Sequence, residues 1–203
     1  MTDPLNIVIS GVGGQGNILA ARVLAAAAVR EGMFATIGET YGASQRGGSV
    51  TSQVRLSVTR EYGPLIPANR AHVVVGFEPI ETARVVPILA NMETEVIVND
   101  RPVYPVSVLV GDSKYPAVVE LVTKIGALVA NVRCITATEM AKEAGDAKAM
   151  NIVMIGALVG TGQVPVKKET FSTVFEEMFK GKALEVNKMA FQLGMTTQKA
   201  HKG

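Results

Sequence analysis

The sequence predicts a three-layer α/β domain built on a mixed, mainly parallel β-sheet, with a helical C-terminal third. Three observations support this prediction: a strand, glycine turn, helix and strand in succession at the N-terminus, one strand of alternating character soon afterwards, and mostly helical patterns after residue 136. No linker, repeat or low-complexity tract divides the chain, so we expect a single domain over residues 1–203.

The N-terminal unit begins with residues 5–9, a compact β-rich run typical of a buried strand. Residues 17–31 follow a glycine loop and contain no glycine or proline, which predicts a helix that ends at Gly32. A second strand is expected at 34–37. Because strand, helix and strand in this order form a β-α-β unit, we expect these two strands to pair in parallel.

The later elements make the sheet mixed. Residues 50–58 alternate apolar and polar side chains, which is typical of a half-exposed and often antiparallel strand. Residues 136–139, Thr-Ala-Thr-Glu, match a capping box that opens the helical third, which Gly145 interrupts. A buried strand is predicted at 72–77 and further strands at 95–99, 106–110 and 131–135. Helices are predicted at 79–89, 116–125, 147–158, 169–179 and 183–193.

The composition excludes several classes of protein. Hydrophobic residues make up 48% and the net charge is +2, which argues against disorder, and the 20 lysines and arginines are not clustered as nucleic-acid binding requires. No signal peptide is visible, and the longest apolar stretch, 152–159, is too short to span a bilayer. We therefore expect a cytoplasmic protein that binds neither nucleic acid nor membrane.

Cys134 is the single cysteine, and one thiol cannot hold an iron–sulfur cluster, which generally needs four ligands. It lies in an apolar run, so we interpret it as a small buried hydrophobic residue. His72, one of two histidines, is interpreted as a strand-edge residue rather than a catalyst. No residue spacing suggests a metal site.

The first motif with chemical meaning is a G-x-G-x-x-G sequence between a strand and a helix, as in a Rossmann-like domain. Glycines let the backbone approach a phosphate, and the helix N-terminus presents free N–H groups and a partial positive charge. The candidate cofactor-binding residues are Gly11, Gly13, Gly14, Gln15 and Gly16. An equal alternative to a bound nucleotide-like group is that the glycines serve only the tight packing of the strand against the helix.

A dinucleotide site also requires an acidic residue at the end of the second strand. Glu39 lies about 23 residues past Gly16, close to the expected spacing. It follows Gly38 at the mouth of a long loop, however, so the match is loose.

The second motif is that loop, predicted at 38–48. The guanidinium of Arg46 stands among small residues and suits a phosphate, a carboxylate or a partner's backbone. Ligands of open α/β sheets bind beyond the C-terminal strand ends, so we favour a binding or interface role over a plain surface loop. The candidate cofactor-binding residues here are Gln45, Arg46, Gly47 and Gly48.

The third motif is Gly-Phe-Glu-Pro-Ile-Glu, which ends at Glu81. Glu78 and Glu81 lie three residues apart and hence on one face of a helix start. Two carboxylates could perform acid–base work, but we favour the interpretation that they complement the helix dipole. We assign no catalytic residue to this chain.

The three motifs together resemble the gamma-type module of the 2-oxoacid:ferredoxin oxidoreductases. The resemblance rests on the glycine loop, the Gln-Arg-Gly-Gly-Ser-Val sequence that begins at Gln45 and the Gly-Phe-Glu-Pro-x-Glu sequence that begins at Gly76. The later stretch with Asn151 and Gly156 is also similar, so the resemblance covers most of the chain. The loop that begins at Tyr41 is similar to the indolepyruvate branch of the family.

The resemblance implies a holoenzyme that oxidatively decarboxylates a 2-oxoacid, in this branch an aryl pyruvate. Thiamine diphosphate attacks the keto carbon, CO2 leaves, electrons pass through iron–sulfur clusters to ferredoxin, and coenzyme A takes the acyl group. This chain lacks cluster cysteines and a Gly-Asp-Gly thiamine signature, because Ser113 follows Gly111-Asp112 and Ala147 follows Gly145-Asp146. We therefore expect those cofactors on a larger partner subunit, and a contact to coenzyme A through residues 11–16 and Arg46.

Two alternatives stay open. The chain could be a stand-alone NAD- or FAD-binding Rossmann protein, or a non-enzymatic scaffold whose glycine loops only contact other subunits. Pyruvate and 2-oxoglutarate are alternative substrates. His72 stands where the family usually has aspartate, which weakens the substrate assignment more than the family assignment.

Overall fold

The protein is described from a computed structural model that covers residues 2–42 and 48–197. These residues form six strands and eight α-helices. The strands are β1 (Leu5–Val12), β2 (Phe34–Tyr41), β3 (Ser49–Ser57), β4 (Val73–Gly76), β5 (Glu95–Asn99) and β6 (Asn131–Ile135). The helices are α1 (Asn17–Arg30), α2 (Pro79–Leu89), α3 (Val106–Leu109), α4 (Val118–Gly126), α5 (Ala137–Ala144), α6 (Met150–Gly160), α7 (Lys168–Met178) and α8 (Gly181–Thr196).

The six strands form one sheet in the order β2-β3-β1-β4-β5-β6. The ladders β1–β4, β4–β5 and β5–β6 are parallel, whereas β3 is antiparallel to both β1 and β2. The predicted mixed, mainly parallel α/β fold is therefore confirmed. The carboxyl ends of β1, β4, β5 and β6 lie at one edge of the sheet, which we call the carboxyl edge.

The predicted parallel pairing of the first two strands is wrong, because β3 lies between β1 and β2. Strand β3 is buried along almost all of its length, whereas β2 exposes Phe34 and its last three residues. Burial therefore favours β3 in the interior of the sheet and β2 at its edge. Strand β2 also extends to Tyr41, so the loop begins later than residue 38.

The predicted half-exposed character of β3 is also wrong, because the segment 58–72 covers its polar face. The backbone N–H of Ile66 donates to Oε1 of Gln53 at 2.6 Å. The Arg55 guanidinium donates to the carbonyls of Gly63 and Leu65 at 3.0 and 3.2 Å. Polar side chains are buried here because the loop backbone supplies their hydrogen-bond partners.

Two hydrophobic cores, one on each face of the sheet, make the fold three-layered. One face packs Ile7 and Ile9 of β1 against α1, α6, α7 and α8. The other packs Val8 against α2 and α4 through Val86 and Ile125. Successive residues of β1 enter opposite cores, as the period of a strand requires.

The helical C-terminal third is centred on α6, which is almost wholly buried. Glycines let α6 and α8 cross closely: a Cβ on Gly156 would lie 2.2 Å from the carbonyl oxygen of Phe191, and one on Gly194 would lie 2.0 Å from that of Val153. Phe191 also stacks on Phe171 with ring centroids 5.0 Å apart, which seats α8 on α7. Because α6 is packed on all sides, nearly all of its residues are apolar.

Three local predictions fail. The expected strand at 106–110 is the short helix α3, which follows Pro105 and is not part of the sheet. The capping box does not form, because Thr136 makes no side-chain cap and Oδ1 of Asn99 accepts the N–H of Thr138 instead. Cys134 is exposed rather than buried, since β6 is an edge strand.

Candidate functional site

The glycine loop lies at the carboxyl edge, between the end of β1 and the start of α1. Gly11 belongs to β1, and the chain then turns through residues 13–16. The N–H of Gly13 donates to the carbonyl of Gly48 at 2.9 Å, so the glycine loop meets the end of the second predicted motif. The other candidates of that motif, Gln45, Arg46 and Gly47, lie outside the described residues.

Gln15 closes the turn from inside. Its Oε1 accepts the N–H of Val12 at 2.7 Å, and its Nε2 donates to the carbonyl of Phe77 at 3.2 Å. Both polar ends of the side chain are therefore engaged with backbone groups of the carboxyl edge. The geometry assigns Gln15 the task of shaping the loop and fastening it to the end of β4.

The glycines are needed for different reasons. A Cβ on Gly11 would lie 2.7 Å from Oε1 of Gln15, and one on Gly16 would lie 2.3 Å from Nδ2 of Asn151. Close packing therefore favours glycine at both positions, and Gly16 also has a positive φ of +83°. Gly14 has φ +103° and open space where a Cβ would stand, so backbone conformation alone requires it there.

Asn17 and Asn151 hold the loop from two further elements. Nδ2 of Asn17 donates to the carbonyl of Val50 in β3 at 3.2 Å. Nδ2 of Asn151, at the start of α6, donates to the carbonyl of Gly16 at 3.3 Å. Sequence reasoning gave Asn17 no role and noted Asn151 only for its family resemblance, because both contacts join residues far apart in the chain.

An open cleft of about 660 Å³ lies against this loop. It is lined by Gly13, Gly14, Gly16, Asn17, Ile18, Tyr41 and Val50. Helix α1 starts at its wall with no side-chain cap and no acidic residue in the first turn. An uncapped helix start presents free N–H groups and a partial positive charge, so this wall suits an anionic group, while Ile18, Tyr41 and Val50 offer apolar surface.

Glu39 does not stand where a dinucleotide site needs it. Because β3 intervenes, Glu39 lies two strands from Ile9 of β1, a separation of about 10 Å. Its carboxylate accepts the Tyr41 hydroxyl, and this hydrogen bond raises the pKa of Tyr41 above its ordinary value. In a dinucleotide-binding fold the acidic residue ends the strand beside the glycine loop.

An amide network ties the carboxyl ends of three strands together. The carbonyl of Phe77 accepts from Gln15 and also from Nδ2 of Asn99 at 3.2 Å. Asn99 further donates to the Thr138 hydroxyl at 3.0 Å and accepts the N–H of Thr138. The glycine loop is thus linked through β4 and β5 to the first turn of α5.

Glu78 is a structural carboxylate. It is 1% exposed, and its Oε2 accepts the N–H of Glu81 at 2.8 Å, which caps α2. Its Oε1 accepts the N–H of Val103 at 3.3 Å and the hydroxyl of Tyr115. Burial of the Tyr115 ring raises the pKa of its hydroxyl far above the ordinary value, and the hydrogen bond to Glu78 raises this pKa further. Glu81 pairs instead with Arg84, at 2.9 Å.

His72 is a structural residue at the start of β4. Its Nδ1 accepts the N–H of Asn6 at 2.9 Å, and its own N–H donates to the carbonyl of Asn6 at 2.9 Å. Partial burial lowers the pKa of His72. The neutral ring is therefore the form that fits this site, since Nδ1 must accept a hydrogen bond.

Residues 2–42 and 48–197 contain no cluster of three or more histidine, cysteine or acidic side chains able to hold a metal ion. Within the same ranges no helix is both long enough and apolar enough to cross a membrane.

The chain belongs to the pyruvate ferredoxin/flavodoxin oxidoreductase family, whose sequence profile matches residues 6–197. Over 190 residues it is 38% identical to the indolepyruvate oxidoreductase subunit IorB of Archaeoglobus fulgidus, covering 94% of this chain and 93% of the relative. The family predicted from the three motifs is confirmed, and the chain is a gamma-type subunit of the 2-oxoacid:ferredoxin oxidoreductases.

Solved structures agree. The gamma subunit of a keto/oxoacid ferredoxin oxidoreductase from Geobacter sulfurreducens has a TM-score of 0.69 and 25% identity, covering 96% of this chain and 98% of that one. The 2-oxoglutarate:ferredoxin oxidoreductase of Magnetococcus marinus, solved with 2-oxoglutarate, coenzyme A and succinyl-CoA bound, has a TM-score of 0.75 and 24% identity. The match covers 98% of this chain but 32% of that one, so there the fold is part of a longer polypeptide.

Proposed function

We propose that this chain is the non-thiamine, non-iron–sulfur subunit of an indolepyruvate:ferredoxin oxidoreductase. The holoenzyme would convert an aryl pyruvate and coenzyme A to an aryl-acetyl-CoA and CO2, passing the electron pair to ferredoxin. The observation that carries the proposal is the end-to-end match to an indolepyruvate oxidoreductase subunit of nearly the same length. Pyruvate and 2-oxoglutarate remain the alternative substrates.

The cofactors of the reaction belong, in this proposal, to a larger partner subunit. Thiamine diphosphate would form the carbon nucleophile there, and iron–sulfur clusters would carry the electrons. The single cysteine and the lack of a Gly-Asp-Gly sequence support this division of labour. The complex would work in the cytoplasm, which fractionation of host cells would test.

The task we assign to this chain is to contact coenzyme A in the cleft beside the glycine loop. A phosphate would be bound by the uncapped start of α1, and the apolar pantetheine arm would lie against Ile18 and Val50. Gly13, Gly14 and Gly16 would let the backbone approach the ligand. Gln45, Arg46, Gly47 and Gly48 would complete the site, with Arg46 as the charged group.

Two competing functions have weaker support. A stand-alone NAD- or FAD-binding protein would need an acidic residue beside the glycine loop, and Glu39 is two strands away. A pure scaffold would use the glycines for packing alone. The positions of Gly11 and Gly16 support that alternative, whereas the open space at Gly14 does not.

The test begins with the complex purified from its native host and measures ferredoxin reduction with indolepyruvate, phenylpyruvate, pyruvate and 2-oxoglutarate. Mass spectrometry of the acyl-CoA product identifies the substrate. A complex that reduces ferredoxin only with pyruvate or 2-oxoglutarate would reject the indolepyruvate assignment. A complex without thiamine diphosphate or clusters would reject the subunit role.

The coenzyme A contact has its own test. We expect Arg46→Ala to raise KM for coenzyme A about tenfold or more with little change in kcat, since a charge-assisted hydrogen bond contributes about 1.5–3 kcal/mol. Arg70→Ala, at an exposed arginine outside the cleft, is the matched control. Equal KM values in the wild type and both variants would leave the scaffold role as the better description.

A further inference from the structure

The segment between β5 and α4 is folded but lies outside both cores. No residue from 101 to 120 is buried. Within it, the N–H of Val110 donates to the carbonyl of Val106 at 2.9 Å, and Ser113 bonds Ser107 through backbone and side chain at 3.1 and 3.0 Å. The segment therefore has its own hydrogen bonds although none of its side chains enters the core.

Glu78 fastens this segment at both ends. Its buried carboxylate accepts the N–H of Val103 and the hydroxyl of Tyr115, and the rings of Tyr104 and Tyr115 pack edge to face with centroids 5.3 Å apart. We call residues 103–115 the docking loop. Its two ends are fixed to the capped start of α2, so the loop is presented in a defined place.

The docking loop exposes three aliphatic side chains. Val106 is 74% exposed, Leu109 70% and Val110 63%. Grouped aliphatic side chains in water are unfavourable for an isolated protein and mark surfaces that another molecule covers.

The loop lies at the same edge of the sheet as the glycine loop. Glu78 directly follows Phe77, whose carbonyl accepts from both Gln15 and Asn99. Asn99 ends β5, and the docking loop begins four residues later. A molecule bound to the docking loop therefore approaches the carboxyl edge, where the cleft opens.

We infer that the docking loop is the surface on which the larger partner subunit binds, an inference that rests on the proposed function. In the Magnetococcus marinus structure this fold is 32% of one longer chain. The Archaeoglobus fulgidus relative, 93% of which aligns with this chain, is by contrast a subunit of its own. A subunit of the proposed complex is held by a noncovalent interface, and stable interfaces contain a desolvated apolar centre. A second copy of this chain is the less suitable occupant, because it would cover the cleft with a subunit that carries none of the reacting cofactors.

The inference is tested by reconstituting the complex from the larger subunit of the native enzyme and variants of this chain. The probe variant is Val106→Asp with Leu109→Asp, which places two charges in the docking loop. The matched control is Ile88→Asp with Met92→Asp, at side chains 62% and 67% exposed near the opposite edge of the sheet. The dissociation constant is measured by sedimentation velocity, and thermal unfolding confirms that each variant folds.

We expect the docking-loop variant to raise Kd by about 30-fold or more, because charged groups at an interface centre lose hot-spot contacts. The control should stay within about twofold of the wild type, as exposed substitutions usually do. At saturating concentration the docking-loop variant should restore ferredoxin reduction, since the cleft is intact.

Equal Kd values for the two variants would overturn the inference. So would a wild-type homodimer that the docking-loop variant dissociates while its affinity for the larger subunit is unchanged, because the surface would then belong to a second copy. Failure of the proposed function has a different signature: the wild-type complex forms with the expected Kd but reduces no ferredoxin with any 2-oxoacid.

Discussion

Tyr115 donates a hydrogen bond to Oε1 of Glu78, whose other carboxylate oxygen accepts the N–H of Glu81 at the first turn of α2. One buried carboxylate thus caps a helix and fixes a surface loop. The docking loop is thus held in place by Glu78, which lies before α2 and β5 in the chain.

The Tyr115 hydroxyl should therefore stabilise the docking loop. We expect Tyr115→Phe to lower the free energy of unfolding by about 1–3 kcal/mol, because a buried acceptor loses one of its donors. Hydrogen exchange should rise at residues 103–115 but not in β1. Tyr104→Phe keeps the ring contact and serves as the control, and an equal exchange increase in both variants would contradict the role of Glu78.

The raised pKa of Tyr115 predicts a dependence of stability on alkaline pH. In the unfolded chain the Tyr115 hydroxyl loses its proton at its ordinary pKa of 10.0, whereas in the folded protein the hydroxyl keeps its proton at that pH. The unfolded state then binds fewer protons, so stability falls as pH rises above 10. The difference in unfolding free energy between the wild type and Tyr115→Phe should be constant at pH 8–9 and shrink above pH 10. A difference that stays constant to pH 11 would contradict the shift.

The crossing of α6 and α8 should not tolerate a methyl group at Gly156. A Cβ there would meet the Phe191 carbonyl at 2.2 Å, so we expect Gly156→Ala to destabilise the protein by about 1–3 kcal/mol or more. Gly126→Ala in α4 is the control, since its Cβ would lie 3.8 Å from Val132. Urea unfolding should show Gly126→Ala equal to or more stable than the wild type. A neutral Gly156→Ala would mean that the helices separate readily.

Gly14 allows packing and ligand contact to be separated. Gly14→Ala and Gly32→Ala both place a Cβ in open space at positive φ, +103° and +81°, so each should cost about 1–2 kcal/mol of stability. Of these two glycines, only Gly14 lines the cleft. In the reconstituted enzyme, Gly14→Ala should therefore raise KM for coenzyme A, and Gly32→Ala should not. The same KM in both variants would argue for glycines that serve the fold alone.

The proximity of the glycine loop to the second motif was predictable, because strand ends in an α/β sheet gather at one edge. That argument brought the glycine loop and the second motif together, and the contact of Gly13 with Gly48 agrees with it. The order of the strands was not predictable: β2 and β3 each have a strand pattern, but which of them lies beside β1 depends on the burial of both faces. Glu39 lost its expected place for this reason.

Other failures share that cause. The sequence Thr-Ala-Thr-Glu matches the capping-box pattern, but the N–H of Thr138 donates to Asn99 of strand β5. The short apolar run at residues 106–110 is expected to be a strand, but it forms helix α3 outside the sheet. Cys134 sits in an apolar run that becomes the edge of the sheet.

The sequence by itself determined the class of fold, most helices and strands, the glycines of the tight turn and the family, because these depend on local propensity, periodicity and motifs. Only the tertiary structure decided strand order, the partners of Gln15, Asn99 and Glu78, and the exclusion of Val106 and Leu109 from the core. These outcomes depend on hydrogen bonds and burial between residues distant in the chain, which no local pattern encodes.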